Sequence, residues 1–265
     1  MKVLAVGDVC APDGCEFAFR AIPRIKQKEN IDFIIVNGEN SAAGNGITPQ
    51  SAETLFAAGA DVITGGNHTL RREEFYNTLD TNPFVLRPHN LKEAQYGSGY
   101  CLFDMGRNIA AVINLSGQIY LERLNADNPF KCVDDLIDKA KNDGAKYIFV
   151  DFHAEATSEK RAMGFYLDGK VSAVFGTHTH VQTADAQVLP KGTGYITDLG
   201  MTGVINSILG VKNDIIINRL RDNDMSRFEQ ESGECMLNGC IFEIDDKTGL
   251  TQNVKSLYIK NINEI

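Results

Sequence analysis

Short runs of β-branched and other apolar residues recur along the chain, and most of them end in a cluster of polar residues. These runs predict strands at Lys2–Val6, Phe33–Val36, Val62–Thr64, Tyr147–Val150, Val171–Phe175, Cys235–Ile244 and Ser256–Ile262. The first five are apolar at nearly every position, which is typical of strands covered on both faces. The pattern therefore predicts a layered α/β protein.

Helical spacing fills several of the stretches between these strands. One apolar stripe recurs at the i, i+3, i+4 and i+7 positions of a helix: Val133, Leu136, Ile137 and Ala140. Gly144 provides a stop for that helix, and Ser51–Ala60 and Glu159–Leu167 are predicted to be helical as well. We find no internal repeat, low-complexity tract or Pro/Ser-rich linker, so we expect residues 1–265 to form a single domain.

The composition is that of an acidic globular protein. The hydrophobic share is 43% and the charged share 23%, which excludes a disordered or fibrous chain. Because 26 basic side chains face 35 acidic ones, the net charge is −9, and a DNA duplex is not expected as a partner. Any phosphorylated ligand would need metal ions or a few local cations. The absence of Trp and the 8% share of aromatic residues also argue against a base-stacking platform.

The sequence predicts a cytoplasmic location. The longest apolar runs, such as residues 33–36 and 109–113, are far shorter than the ~18 residues of a membrane-spanning helix. The first strand reaches Gly7 and Asp8 too early for a signal peptide. With no secretory signal, the six Cys are expected to be reduced thiols.

Candidate metal ligands are concentrated where the predicted strands end. Four of the five His belong to this set, which comprises Asp8, Glu39, Asn40, Asn67, His68, His153, His178 and His180. Ligands of layered α/β proteins gather beyond the carboxyl ends of the strands, so these side chains are expected to lie close together. Imidazole and carboxylate groups in such a cluster indicate a metal site.

The number of candidates favours two ions over one. A single ion of the zinc or iron type needs about three to six ligands, and eight are present. The surplus suits a pair of ions ~3.5–4 Å apart that share a carboxylate and a hydroxide. The mixture of imidazole, carboxylate and amide groups favours Fe, Mn or Zn over Mg or Ca. In the turn at residues 178–180, the two imidazole rings can face different ions.

These motifs support a resemblance to a known family. Asp8 after the first strand, the Gly-Asn-His of residues 66–68, His153, and the Gly-x-His-x-His of residues 176–180 resemble the calcineurin-like metallophosphoesterases. Residues 37–42 and 151–160 look characteristic of the YmdB-type branch, to which the whole chain is similar in length. The resemblance implies a four-layer αββα metallophosphoesterase sandwich with two mixed β-sheets. It also implies a two-metal phosphodiesterase that converts 2′,3′-cyclic nucleotides into 3′-nucleotides.

The resemblance also implies a role for each candidate ligand. The first ion would be held by Asp8, Glu39, Asn40 and His180. Glu39 would bridge to the second ion, completed by Asn67, His153 and His178. His68 would act as the general acid that protonates the leaving oxygen, while hydroxide attacks phosphorus. Iron is the first choice of metal, with Mn or Zn as alternatives, and the partner is a small phosphoester.

This sequence departs from the wider superfamily at three positions. The usual Asp-x-His opening is replaced by Asp8, Val9 and Cys10, and the usual bridging Asp is Glu39. The Asn40 amide can replace the missing imidazole, and Cys10 is either a further ligand or a buried inert thiol. Thr69 stands where an acidic residue often follows the acid His, so another residue, with Asp8 as a candidate, must orient His68.

Other interpretations stay open at the level of the sequence. The same metals could serve a phosphomonoesterase or nucleotidase, and a metal-dependent nucleotide sensor or an iron-storing α/β protein would need no turnover. The basic pairs at residues 71–72 and 160–161 are candidates for gripping the substrate phosphate. A homo-oligomer is a family-level expectation.

Overall fold

The computed structural model describes residues 1–92 and 94–264. Thirteen strands lie in these ranges: β1 Lys2–Val6, β2 Asp8–Val9, β3 Phe33–Asn37, β4 Val62–Thr64, β5 Tyr100–Asp104, β6 Ile109–Ser116, β7 Ala145–His153, β8 Ala173–Thr177, β9 Gln187–Val188, β10 Gly194–Ile196, β11 Met201–Val204, β12 Cys235–Ile244 and β13 Thr251–Ile259. Six α-helices accompany them: α1 Ala11–Glu29, α2 Pro49–Ala57, α3 Tyr76–Thr81, α4 Pro129–Asn142, α5 Thr157–Tyr166 and α6 Asn213–Asp222.

The strands form two mixed sheets. The first has the order β2-β11-β12-β1-β3-β4, with β13 pairing along β12, and the second has the order β5-β6-β7-β8-β10-β9. In the first sheet, β1 runs parallel to β3 and antiparallel to β12. In the second sheet, β6 runs parallel to β7 and antiparallel to β5.

The two sheets pack face to face and each carries helices on its outer face. Alternation along β1 shows this arrangement, because Val3 and Ala5 join the core between the sheets while Leu4 and Val6 pack with α1 and α2. A third apolar cluster joins α4 and α5 to the outer face of the second sheet. The protein is therefore a four-layer αββα sandwich, which confirms the predicted fold class. Both faces of central strands such as β1, β3 and β8 are buried, so their sequences are apolar at almost every position.

Most of the predicted elements are present, with shifted ends. The predicted strands β4 and β12 have the observed bounds, whereas β7 is longer than predicted and contains His153 as its last residue. The strand predicted at residues 171–175 begins two residues later, as β8, and the one predicted at residues 256–262 begins at Thr251. The predicted helix at residues 51–60 begins earlier, at Pro49, and ends at Ala57.

The elements that were not predicted are helices α1, α3 and α6 and strands β2, β5, β6, β9, β10 and β11. Helix α1 contains Gly14 and Pro23, which are poor residues for a helix interior and hide its apolar period. The period is present nevertheless, because Ala18, Ile22 and Ile25 are buried on one face. Within the described residues, no helix is both long and apolar enough to cross a membrane.

Candidate metal centre

The candidate ligands gather at the edge where strands of both sheets end. Asp8 lies in β2, and β3, β4 and β8 each end just before a ligand pair, whereas His153 ends β7. The two sheets are joined at this edge by Asp151, whose carboxylate accepts hydrogen bonds from Asn37 and Thr64 of the first sheet. As a result, contacts connect all eight predicted side chains into one cluster.

The side chains that the resemblance assigns to the second ion are closely packed. His153 Nε2 lies 2.8 Å from Asn67 Oδ1, 3.0 Å from His178 Nδ1 and 3.3 Å from Glu39 Oε1. Ligand atoms about 2.1 Å from one ion and at right angles to each other lie about 3 Å apart, so this spacing fits a shared ion. Among the described residues, one group of three or more acidic, His or Cys side chains places its ligand atoms close enough to share a metal ion. This group consists of Glu39, His153 and His178.

The side chains that the resemblance assigns to the first ion lie farther apart. His180 Nε2 lies 3.7 Å from Asp8 Oδ1 and 3.3 Å from Asn40 Nδ2. Asp8 is fully buried, and its Oδ1 has no hydrogen-bond partner among the described residues. Burial raises the pKa of Asp8 well above its usual value, although His153 opposes this effect. A buried carboxylate oxygen without a partner destabilises the fold unless a cation compensates its charge. Asp8, Asn40 and His180 therefore fit a metal ion in addition to the one next to His153.

Asn40 links the proposed acid to the proposed bridging carboxylate. Its Oδ1 lies 2.9 Å from His68 Nδ1, and its Nδ2 donates to Glu39 Oε1 over 2.9 Å. His68 is therefore oriented by Asn40 rather than by Asp8, the candidate that the sequence suggested. In this orientation the amide nitrogen, and not the oxygen, faces His180.

A buried relay fixes the tautomer of His153. The Thr177 hydroxyl donates to Asp151 Oδ1 over 2.7 Å, and Thr177 Oγ1 lies 2.9 Å from His153 Nδ1. Since an ionised carboxylate only accepts, the hydroxyl proton belongs to the bond with Asp151, and Thr177 Oγ1 accepts from His153 Nδ1–H. Nε2 is then the ring nitrogen of His153 that faces Glu39 and Asn67, and it offers a lone pair to a metal ion once it has lost its proton. Hydrogen-bonded supports of this kind orient metal-binding His residues.

Two further contacts direct the nitrogens of the other His ligands. Glu155 Oε2 lies 3.1 Å from His178 Nε2, so the other ring nitrogen of His178 is the one that faces His153. His180 Nδ1 lies 3.3 Å from the carbonyl oxygen of Leu209, which leaves Nε2 for Asp8 and Asn40. The sequence assigned no role to Thr177, Asp151 or Glu155, although all three stand within two residues of a predicted ligand.

The turn that carries the two His ligands is strained and supported from below. His178 and His180 have φ angles of 97° and 64°, a region that non-glycine residues rarely occupy. Asp198 Oδ2 accepts hydrogen bonds from the backbone and hydroxyl of Thr179 and from Lys160 Nζ at 2.6 Å. Lys160 is only 2% exposed, so it supports the turn and does not contact substrate phosphate as the sequence had suggested.

Two of the three other candidate phosphate cations, Arg72 and Arg161, also bind protein groups, whereas Arg71 is exposed. Arg72 donates to the carbonyl oxygens of Ala43 and Asn45, which fixes the loop after Asn40. Arg161 pairs with Asp185. Arg72 and Arg161 therefore have structural partners, and the charge for binding phosphate is expected from metal ions.

The electrostatics of the cluster favour a bound cation. Burial acts to raise the pKa of Glu39, but His153 and His68 hold it well below its usual value, so Glu39 is ionised. Burial opposes protonation of His153, yet Glu39 and Asp8 raise its pKa to about 9. Burial lowers the pKa of His178 to about 3, which leaves it neutral and able to bind metal.

A glycine provides the space that the cluster needs. A Cβ atom on Gly66 would lie 2.1 Å from Glu39 Oε2 and 2.3 Å from His153 Nε2. Only a residue without a side chain allows the backbone after β4 to approach so closely. The cluster opens onto a cavity of about 390 Å³ that is bordered by Glu39, His68 and His180.

Comparisons with known proteins identify similar chains. A family model described as YmdB-like protein matches residues 4–257. The 2′,3′-cyclic-nucleotide 2′-phosphodiesterase of Bacillus subtilis is 44% identical over 261 residues, which cover 98% of both chains. A hypothetical protein from Thermus thermophilus has a TM-score of 0.90 and 36% identity, with 97% of this chain and 98% of that chain covered. A novel phosphatase from Mycoplasma pneumoniae has a TM-score of 0.92 and 34% identity, with 98% and 93% covered.

Proposed function

The chain belongs to the YmdB-like family, and from this premise we propose that it is a metal-dependent phosphodiesterase that hydrolyses 2′,3′-cyclic nucleotides to 3′-nucleotides. The convergence of Asn67, His178 and Glu39 on His153 Nε2 is the observation that carries the proposal. The 44% identity to a 2′,3′-cyclic-nucleotide 2′-phosphodiesterase supports the substrate class.

The ligands divide into two groups that share Glu39. We assign Asp8, Asn40 and His180 to one ion and Asn67, His153 and His178 to the other. When bound, two transition-metal ions would neutralise the phosphate oxygens and lower the pKa of the attacking water. Iron, manganese and zinc all suit this donor set, and iron stays our first choice.

His68 is the residue that we assign to proton transfer. Its Nδ1 contacts Asn40, its ring borders the cavity, and its side chain is 27% exposed. In the imidazolium form, Nδ1–H keeps the bond to Asn40 and Nε2–H is available to the departing 2′ oxygen. A ribose alkoxide is a poor leaving group, so this proton is needed.

A small substrate panel tests the proposal. Metal-loaded protein should convert 2′,3′-cyclic AMP to 3′-AMP and leave 3′-AMP intact, with products separated by chromatography. The variant Glu39→Gln, which loses the bridging charge, should abolish this activity. Release of phosphate from 3′-AMP at a comparable rate would instead identify a nucleotidase. Metal binding without turnover of either compound would favour the sensor.

The remaining properties stay predictions of the sequence. They are the assignment of residues 1–265 to one domain, the cytoplasmic location and the homo-oligomeric state.

A further inference from the structure

Residues 205–234 connect β11 to β12 of the first sheet and include helix α6. Val211 forms β-bridges with the nearby Ile208 and with Gln230 near the other end of the segment. Helix α6, which lies between Val211 and Gln230, has no buried residue. The segment thus contributes little to the core. It nevertheless reaches the metal cluster, because Leu209 O contacts His180 Nδ1 and Gln230 Nε2 donates to Ala42 O.

The cavity over the metal cluster has two chemically different walls. The polar wall consists of cluster residues such as Glu39 and His68, whereas residues 205–234 provide an apolar wall that includes Leu209, Ile216 and Phe228. The volume of about 390 Å³ falls in the range of small-molecule sites. With metal ions held by the polar wall, a ligand that fills this cavity would have an anionic end at the ions and an apolar end against Leu209, Ile216 and Phe228.

Phe228 is held in place from one side of its ring. The guanidinium carbon of Arg219 lies 4.1 Å from the ring centroid, and Arg219 Nη2 donates to the carbonyl oxygen of Ser226 over 2.7 Å. A cation over an aromatic face is a favourable contact that fixes the orientation of the ring. Phe228 is still 48% exposed and borders the cavity, so the part of its ring not covered by Arg219 is available to a ligand.

We propose that Phe228, backed by Arg219, is the platform on which the nucleobase of the substrate stacks while its phosphodiester lies at the metal cluster. The inference rests on the proposed function, because it assumes a nucleotide in this cavity. Stacking on an aromatic side chain accepts any base, with purines offering the larger face. One aromatic residue from residues 205–234 thus supplies the contact that the low aromatic content of the chain had argued against.

Two substitutions separate ring stacking from simple packing. Phe228→Leu keeps an apolar side chain and removes the ring, whereas Phe228→Tyr keeps the ring. Leu220→Ala is the matched control, because Leu220 lies in the same segment, is 80% exposed and does not border the cavity. The readout is inhibition of bis(4-nitrophenyl) phosphate hydrolysis by 3′-AMP and by inorganic phosphate, expressed as inhibition constants.

We expect Phe228→Leu to weaken inhibition by 3′-AMP about 5- to 150-fold, the loss typical of one stacked base. Inhibition by inorganic phosphate should not change. Leu220→Ala should behave as the unmodified protein, and Phe228→Tyr, which keeps the ring, should retain the 3′-AMP inhibition constant. Equal weakening of both inhibitors, or of neither, would overturn the platform. So would a change of molecular mass in Phe228→Leu by light scattering, since Phe228 would then belong to an interface between copies.

The same measurements distinguish failure of the platform from failure of the proposed function. Suppose that the unmodified protein does not hydrolyse 2′,3′-cyclic AMP, but that 3′-AMP inhibits its hydrolysis of bis(4-nitrophenyl) phosphate in a Phe228-dependent manner. The stacking role of Phe228 is then supported and the substrate assignment is wrong. If 2′,3′-cyclic AMP is hydrolysed and Phe228→Leu leaves the 3′-AMP inhibition constant unchanged, the platform falls alone.

Discussion

His68 Nδ1 lies 2.9 Å from Asn40 Oδ1, so the proposed acid is oriented by the side chain that the sequence assigned to the first metal ion. An amide has one oxygen, and here that oxygen accepts from His68 while the nitrogen faces His180. Asn40 therefore connects metal binding to acid orientation. If Asn40 Oδ1 instead bound the metal ion and made no contact with His68, the amide nitrogen of Asn40 would face His68. His68 Nδ1 would then have to accept a hydrogen bond from that nitrogen.

The metal content is the first prediction. Elemental analysis of protein expressed with ample metal should find close to two transition-metal ions per chain, because Glu39 joins two ligand groups. Glu39→Gln should lose metal from both groups, since it removes the shared charge. His180→Ala should weaken the binding of only the ion next to Asp8. Identical loss in the two variants would contradict our division of the ligands.

The second prediction concerns His68. His68→Asn should keep both ions and lose about 10²- to 10⁴-fold in the rate on 2′,3′-cyclic AMP, the usual contribution of a general acid. The loss on a nitrophenyl phosphodiester should be much smaller, because nitrophenolate departs without a proton. His89→Asn is the control, since His89 is exposed and lies outside the cluster. An equal loss on both substrates would show that His68 orients the phosphate, and a loss of metal would make it a ligand.

The relay beneath His153 gives a third prediction. Thr177→Val keeps the shape of the side chain but leaves His153 Nδ1–H and Asp151 Oδ1 without their shared partner. We expect a loss of about 1–3 kcal/mol in the free energy of unfolding. Chelator competition should show metal affinity about 10- to 100-fold weaker. Thr177→Ser keeps the hydroxyl and should retain both properties, and unchanged affinity in Thr177→Val would dismiss the relay.

Cys10 carries the fourth prediction. Its Sγ lies 3.7 Å from His180 Nδ1, whereas the other ring nitrogen of His180, Nε2, faces Asp8. Burial raises the pKa of the Cys10 thiol well above its usual value, and the nearby Asp8 and Glu39 act in the same direction, so the thiolate form is disfavoured. Cys10→Ser should therefore keep both ions and most of the activity. Loss of one ion would make Cys10 a ligand in place of Asn40.

The fifth prediction concerns the support of the His-Thr-His turn. Lys160→Met leaves the carboxylate of Asp198 buried without its cation, and we expect a loss of about 3–5 kcal/mol in the free energy of unfolding. Lys170→Met removes an exposed partner of Asp134 and should cost less than about 1 kcal/mol. Chemical denaturation of the two variants in parallel measures the difference. Similar stabilities would mean that the pair of Lys160 and Asp198 does not stabilise the turn.

The sequence alone sufficed for the layered fold and for which side chains gather at the shared edge of the sheets, whereas their roles as metal ligands stay a prediction. Both follow from local patterns, because a strand buried on both faces is apolar throughout and its polar end marks the shared edge of a sheet. The prediction failed locally at helix α1, where Gly14 and Pro23 obscure the apolar period.

Only the tertiary structure decided how each cluster residue is held. Lys160 lies next to Arg161 in a charged stretch that is typical of exposed residues, yet it is buried against Asp198. His68 is oriented by Asn40, which follows a different strand. The ring of Phe228 reaches the cavity from a segment whose helix has no buried residue. Such contacts join residues far apart in the chain, whereas apolar periodicity reports only which face of a local element is buried. The partner of a polar side chain depends on how the elements pack together, and that is set by the whole fold.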